Sequence, residues 1–120
     1  MKESARNYVI RTVNHYRISG KFNDAIAAAE RGGKMIDDAE TTKHLLLSVY
    51  DTWSRKYSGK KEWQSAIDVY KAGLKKLPKT PHLTNNLLAM WDTRAGHYTK
   101  SKDWRQSADV YEKAMKEHPD

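Results

Sequence analysis

Aromatic residues recur in this chain at one fixed interval, and that interval limits the fold more than any other feature of the sequence. Tyr16, Tyr57 and Tyr98 are each 41 residues apart. Phe22, Trp63 and Trp104 keep the same interval, as do Val9, Tyr50 and Trp91, and it also separates Tyr70 from Tyr111 and Pro78 from Pro119. The second and third stretches align without a gap, LLSVYDTWSRKYSGKKEWQSAIDVYKAGLKKLP above LLAMWDTRAGHYTKSKDWRQSADVYEKAMKEHP. Self-similarity at a period of this size is the signature of stacked supersecondary units, none of which buries its apolar face alone.

Each repeat reads as two helices joined by a short polar turn. Ser19-Gly20, Ser58-Gly59 and Thr99-Lys100-Ser101 fall between the helices of a repeat, while Gly32-Gly33, Pro78 to Pro81 and Pro119 fall at or near its end. Trp63, Ala66, Ile67, Tyr70 and Leu74 recur at three- and four-residue steps and form a single apolar stripe. Strand alternation is absent. The expected fold is all-α, a right-handed α-solenoid of three helical hairpins and six helices, with a concave inner face. The chain is one domain, with repeat one over about 1–37, repeat two over about 38–78 and repeat three over about 79–120. With Pro119-Asp120 standing where a further first helix is due, it reads as part of a longer protein.

These residues resemble the tetratricopeptide repeat. That pattern places a large residue early in the first helix and a tyrosine near its end, then an aromatic opening the second helix, small residues, a further aromatic and a closing proline. Repeat two supplies Tyr50, Tyr57, Trp63, Ala66, Tyr70, Gly73 and Pro78, and repeat three supplies Trp91, Tyr98, Trp104, Ser107, Tyr111, Ala114 and Pro119. Repeat one supplies Val9, Tyr16, Phe22, Ala25, Ala29 and Gly32, with Asp37 at the proline position. The family period is 34 residues, so about two extra turns precede the motif in each first helix. Other helical solenoids, including a half-repeat family of RNA-processing factors, share the aromatic pattern.

In the resembling family the ligand lies along the inner face of the first helices. The matching residues are Asn7, Arg11, Asn14 and Arg17 in repeat one, Ser48, Asp51, Thr52 and Arg55 in repeat two, and Ala89, Asp92, Thr93 and Gly96 in repeat three. This wall is polar and nearly balanced in charge, with three arginines against two aspartates. One subclass clamps a peptide carboxylate with lysine, asparagine and arginine side chains. Here only Asn14 matches, with Ile10, Thr52, Ala89 and Thr93 at the other four positions, so no such clamp is expected. The Asp-Thr pair repeats as Asp51-Thr52 and Asp92-Thr93, and the expected partners of its carboxylates are a neighbouring arginine, from among Arg11, Arg55 and Arg94, or a donor of the ligand.

The expected function is a protein-protein interaction scaffold that binds a peptide segment or a protein surface, without catalysis, cofactor or metal. No phosphate loop, nucleophile elbow or paired-carboxylate motif occurs, and His15, His44, His82, His97 and His118 have no ligand spacing. The net charge of +7 leaves RNA or nucleoprotein binding through a basic outer surface as the alternative. Lys75, Lys76, Lys79, Lys113 and Lys116 carry that surface, on or just after second helices. Without cysteine there is no disulfide or thiolate site, and without an apolar run near 20 residues or a signal peptide the default compartment is cytoplasmic. Two expectations concern packing. Tyr57, Trp63, Tyr70, Tyr98, Trp104 and Tyr111 are to be buried between helices, with Trp53 in part exposed. On the last hairpin, Val110, Met115 or their neighbours are to be more exposed than the equivalent Val69 and Leu74, opening a route to end-to-end self-association.

Overall fold

A computed structural model describes the backbone of residues 2–119 and the side chains of residues 4–119. Among these residues the chain is all-helical: α1 (Lys2–Ile18), α2 (Phe22–Ile36), α3 (Ala39–Ser58), α4 (Trp63–Lys76), α5 (Pro81–Lys100) and α6 (Trp104–Glu117). α1 packs on α2, α4 on α5, and α5 on α6, a consecutive pairing that fits a helical repeat. The chain forms two compact units, Met1–Arg55 and Lys56–Asp120, with α3 running through the boundary.

The period is written into the backbone hydrogen bonds of the turns. Lys21 N–H donates to the Tyr16 carbonyl, Glu62 N–H to that of Tyr57 and Asp103 N–H to that of Tyr98, each at 2.9 Å. Inside each of these sits a second bond, from Gly20 to Arg17, Lys61 to Ser58 and Lys102 to Thr99. Two nested bonds of this kind around a left-handed residue close a helix by satisfying its orphan carbonyls. The left-handed residue is Gly20 at φ 78°, Lys61 at 61° and Lys102 at 58°. The next residue then starts the second helix directly, with ψ near 70° at Lys21 and Glu62 and 73° at Asp103. Only Asp103 adds a side-chain cap, accepting from the Gln106 N–H.

In the first unit the core is built from Val9 and Val13 of α1, Phe22, Ala25, Ile26, Ala29 and Ile36 of α2, and Leu45, Leu46, Val49 and Tyr50 of α3. α1 and α2 approach so closely at Gly32 that a Cβ there would collide with both methyls of Val9. Trp53 is half-buried, its ring stacked on Phe22 at 5.3 Å, so this ring joins α2 to α3 as packing. In the second unit Ala66, Ile67, Val69 and Tyr70 of α4, Leu83, Leu87, Trp91 and Ala95 of α5, and Val110 of α6 are buried.

The aromatic expectation holds unevenly. Tyr70 is buried and Tyr57, Trp63 and Tyr98 are half-buried, but Trp104 is 64% and Tyr111 46% exposed. The reason is positional, since both lie on the face of α6 that no later described helix covers. Met115 shares that face at 65% exposure, as expected, while Leu74 is half-buried. Val110 departs from expectation and is as buried as Val69, because it belongs to the stripe of α6 that includes buried Ser107 and is turned toward α5 within the hairpin.

A lysine in the left-handed region carries a steric cost that glycine does not. Lys61→Gly and Lys102→Gly should each raise unfolding stability by about 0.5–1 kcal/mol in urea titrations, and Gly20→Ala should lower it by about 1 kcal/mol. Loss of stability in both lysine variants would contradict the turn geometry.

Candidate binding surface

The side chains expected to form a binding wall lie on α1, α3 and α5, and in the first unit the structure ties several of them to one another. In the first unit Arg17 is the hub. Its Nε donates to Asn14 Oδ1 at 3.3 Å and its Nη1 to Thr52 Oγ1 at 2.9 Å, joining α1 to α3. The Thr52 hydroxyl in turn donates to the Ser48 carbonyl, and the Ser48 hydroxyl to that of Leu45. Asn14, Ser48 and Thr52 are half-buried members of this network, whereas Asn7 and Arg11 stand exposed on α1. Asp51 is half-buried, and Arg55 bends back so that its Nε reaches the Asp51 carbonyl at 3.4 Å.

The second unit corrects the expectation for the Asp-Thr pair. Asp92 takes a phenol as its partner and not an arginine: Tyr111 Oη donates to Asp92 Oδ1 at 3.1 Å. Arg94 stands two residues along the same helix, a separation that points it away from Asp92. It donates to Gln64 Oε1 and lies over the Trp91 ring at 5.4 Å. Thr93 is exposed and its hydroxyl is spent on the Ala89 carbonyl of its own helix. The sequence pattern had Tyr111 in a packing role, so its part in this polar contact was missed.

Ion pairs stand at the ends of these helices. Arg6 of α1 meets Asp38 at 2.9 Å, immediately before α3. Asp38 also accepts from the Thr41 N–H and hydroxyl, and these donors, followed by the Arg6 guanidinium, hold its carboxyl below the usual aspartate range. A depressed carboxylate pKa contributes stability above the unfolded value, and that contribution is lost as pH falls through the folded value. At the far end of the second unit Lys71 Nζ meets Glu117 at 2.6 Å and lowers the glutamate in the same way.

An apolar cleft of about 390 Å³ opens between α1 and α2 of the first unit, lined by Tyr8, Val9, Thr12, Tyr16, Gly32 and Met35, among others. Tyr8 and Met35 are 67% and 81% exposed at its rim. Among the described residues no group of three metal-ligating side chains gathers, and no helix is long and apolar enough to cross a membrane. Compared with known proteins, the chain matches no family model, no curated protein and no solved structure.

The Asp92 carboxylate raises the Tyr111 phenol above its ordinary value near 10, through the hydrogen bond first and through charge second. A raised acid pKa means that the bond supports folding below the unfolded tyrosine pKa and loses that support as pH climbs through the folded one. Asp92→Asn should therefore bring one tyrosine's absorbance titration back down toward the ordinary value. An unchanged titration would show that Asp92 is not the partner.

Proposed function

We propose that the chain is a tetratricopeptide-like scaffold, an α-solenoid of three hairpins that binds a peptide segment or a protein surface along its first helices and carries out no reaction. The observation that supports this most is the polar wall of α1 and α3 in the first unit, where Arg17 fixes Asn14 and Thr52 in place. Side chains held before the ligand arrives lose little conformational freedom on binding. Around them Asn7, Arg11 and Arg55 are exposed and able to reach a partner, with Asp51 half-buried beside them. In the second unit α5 carries the Asp-Thr pair again, with Asp92 accepting from Tyr111 and Thr93 exposed.

Such a wall suits an extended peptide of mixed charge. Carboxylates at Asp51 and Asp92 would accept backbone amides or basic side chains, while Asn14 and Arg55 would meet carbonyls and acids. The turns at Tyr16, Tyr57 and Tyr98, which share the same two nested hydrogen bonds, support the repeat on which this reading stands.

Peptides selected from a displayed random library against the chain should lose roughly 10-fold or more in affinity for the double variant Asp51→Asn/Asp92→Asn, the effect of losing one charge-assisted bond of about 1.5 kcal/mol or more. Selected peptides that bind the double variant as well as the parent would remove this wall from the mechanism. Exposed Lys75, Lys76 and Lys79 supply the competing outcome, in which RNA binds instead and weakens steeply with salt.

A further inference from the structure

The hairpin of α5 and α6 holds a polar cleft of about 260 Å³, lined by Arg94 and Tyr98 of α5 and by Gln106, Asp109, Val110 and Lys113 of α6. Asp109 and Lys113 each stand two residues from Tyr111 or Met115, which on a helix of 3.6 residues per turn is nearly the opposite side. The α5 wall is turned toward α4, where Arg94 reaches Gln64. The cleft and the helix beside it therefore belong to the second unit.

Neutral groups hold Arg94 in place. Its Nη1 donates to Gln64 Oε1 at 3.2 Å, and its guanidinium lies over the Trp91 ring. Gln64 is itself oriented, because its amide donates to Asp68 Oδ1 at 3.0 Å. The Arg94 Nε is buried without a hydrogen-bond partner. A half-buried guanidinium with neutral anchors and an unanswered donor is short of compensation for its charge. On the facing wall Lys113 is exposed, and Glu117, whose carboxyl it helps to hold down, is already engaged by Lys71 at 2.6 Å.

The period shows this pair of cations to be particular to one hairpin. Shifted back by 41, Tyr98, Asp109 and Val110 keep their residue types as Tyr57, Asp68 and Val69, but Arg94 becomes Trp53 and Lys113 becomes Ala72. Repeat one has Thr12 and Arg31 at the same two positions. Trp53 fills its place by stacking on Phe22, so packing alone asks for no cation there.

We propose that this cleft receives the carboxylate of an acidic side chain presented by a partner protein, with Arg94 as the fork that grips it and Lys113 as the second cation. Arginine presents paired donors that match both oxygens of a carboxylate. Two cations against Asp109 leave one net positive charge, which suits a singly charged carboxylate better than a doubly charged phosphate. The volume is below the roughly 300–1,000 Å³ of sites that enclose a small molecule, and it suits one side chain. Arg94 points away from Asp92, so this site and peptide binding along the wall stand or fall separately.

The test is a titration of the isotope-labelled 120-residue chain with a blocked hexaglutamate peptide at about 0.15 M salt, followed by backbone amide shifts. Shifts should concentrate at Arg94, Tyr98, Val110 and Lys113. Arg94→Gln should weaken binding about 10-fold and Lys113→Gln about threefold. Lys75→Gln, which removes the same charge from an exposed site on α4, should change it less than about twofold. Equal losses in all three variants belong to attraction by net charge alone and would overturn the proposal. So would glutarate binding as tightly as the peptide, the mark of a small-molecule site, or an oligouridylate binding more tightly through the same two residues, the mark of RNA. Circular dichroism melts check that Arg94→Gln stays folded. Should it unfold, the exposed Lys113→Gln decides, and its binding like the parent would overturn the proposal.

Discussion

The close approach of paired helices is the constraint from which the rest of this structure follows. At Gly32 the α2 backbone lies against the Val9 methyls of α1, leaving no volume for a side chain. Helices brought this near must meet at small or well-fitted residues, and interiors of proteins are packed densely enough that one methyl is felt. The repeat keeps that condition with Gly73 and Ala114 at the equivalent positions, and with Val13, Ser54 and Ala95, all fully buried, at a second. Large aromatic side chains then fill the space around the contact, as Phe22 and Trp53 do in the first unit.

The turns do the complementary work of fixing where each helix stops. Nested hydrogen bonds to the carbonyls of Tyr16 and Arg17, and to their equivalents, end the first helix and begin the second within three or four residues. Because the geometry is the same three times, the side chains of each hairpin enter in the same register. That regularity gives α4 and α6 the same apolar face, and it leaves the two faces in different circumstances. The polar wall has a different origin, since Arg17 links α1 to α3 through hydrogen bonds and so couples the polar side chains of these helices to their packing.

Much of this was legible in the sequence because periodicity is a statement about which residues share an environment. Helix number and the positions of the joints follow from the interval of 41 and the apolar stripe. Other features were hidden for identifiable reasons. Gly59 drew attention at the second turn, yet the left-handed residue is Lys61, whose place is visible only by sliding Gly20 forward one period. The column Val13, Ser54, Ala95 mixes three residue types and so gives no compositional signal, though alignment at the period places all three together. Trp104 and Tyr111 obey the repeat in sequence but not in exposure, because burial depends on a neighbouring helix as well as on the residue itself. The Tyr111 to Asp92 bond joins α6 to α5 across 19 residues, a pairing that no local pattern encodes.

The central claim is that α4 depends on its packing against α5, the first helix that follows it, and native-state hydrogen exchange tests it most directly. Backbone amides of α4, covered by α5, should exchange more slowly than the amides of α6 at positions one period later, because local opening of a less covered helix costs less free energy. Comparing residues matched in this way removes most differences of sequence and helix position. Equal protection in the two helices, or greater protection in α6, would contradict the account.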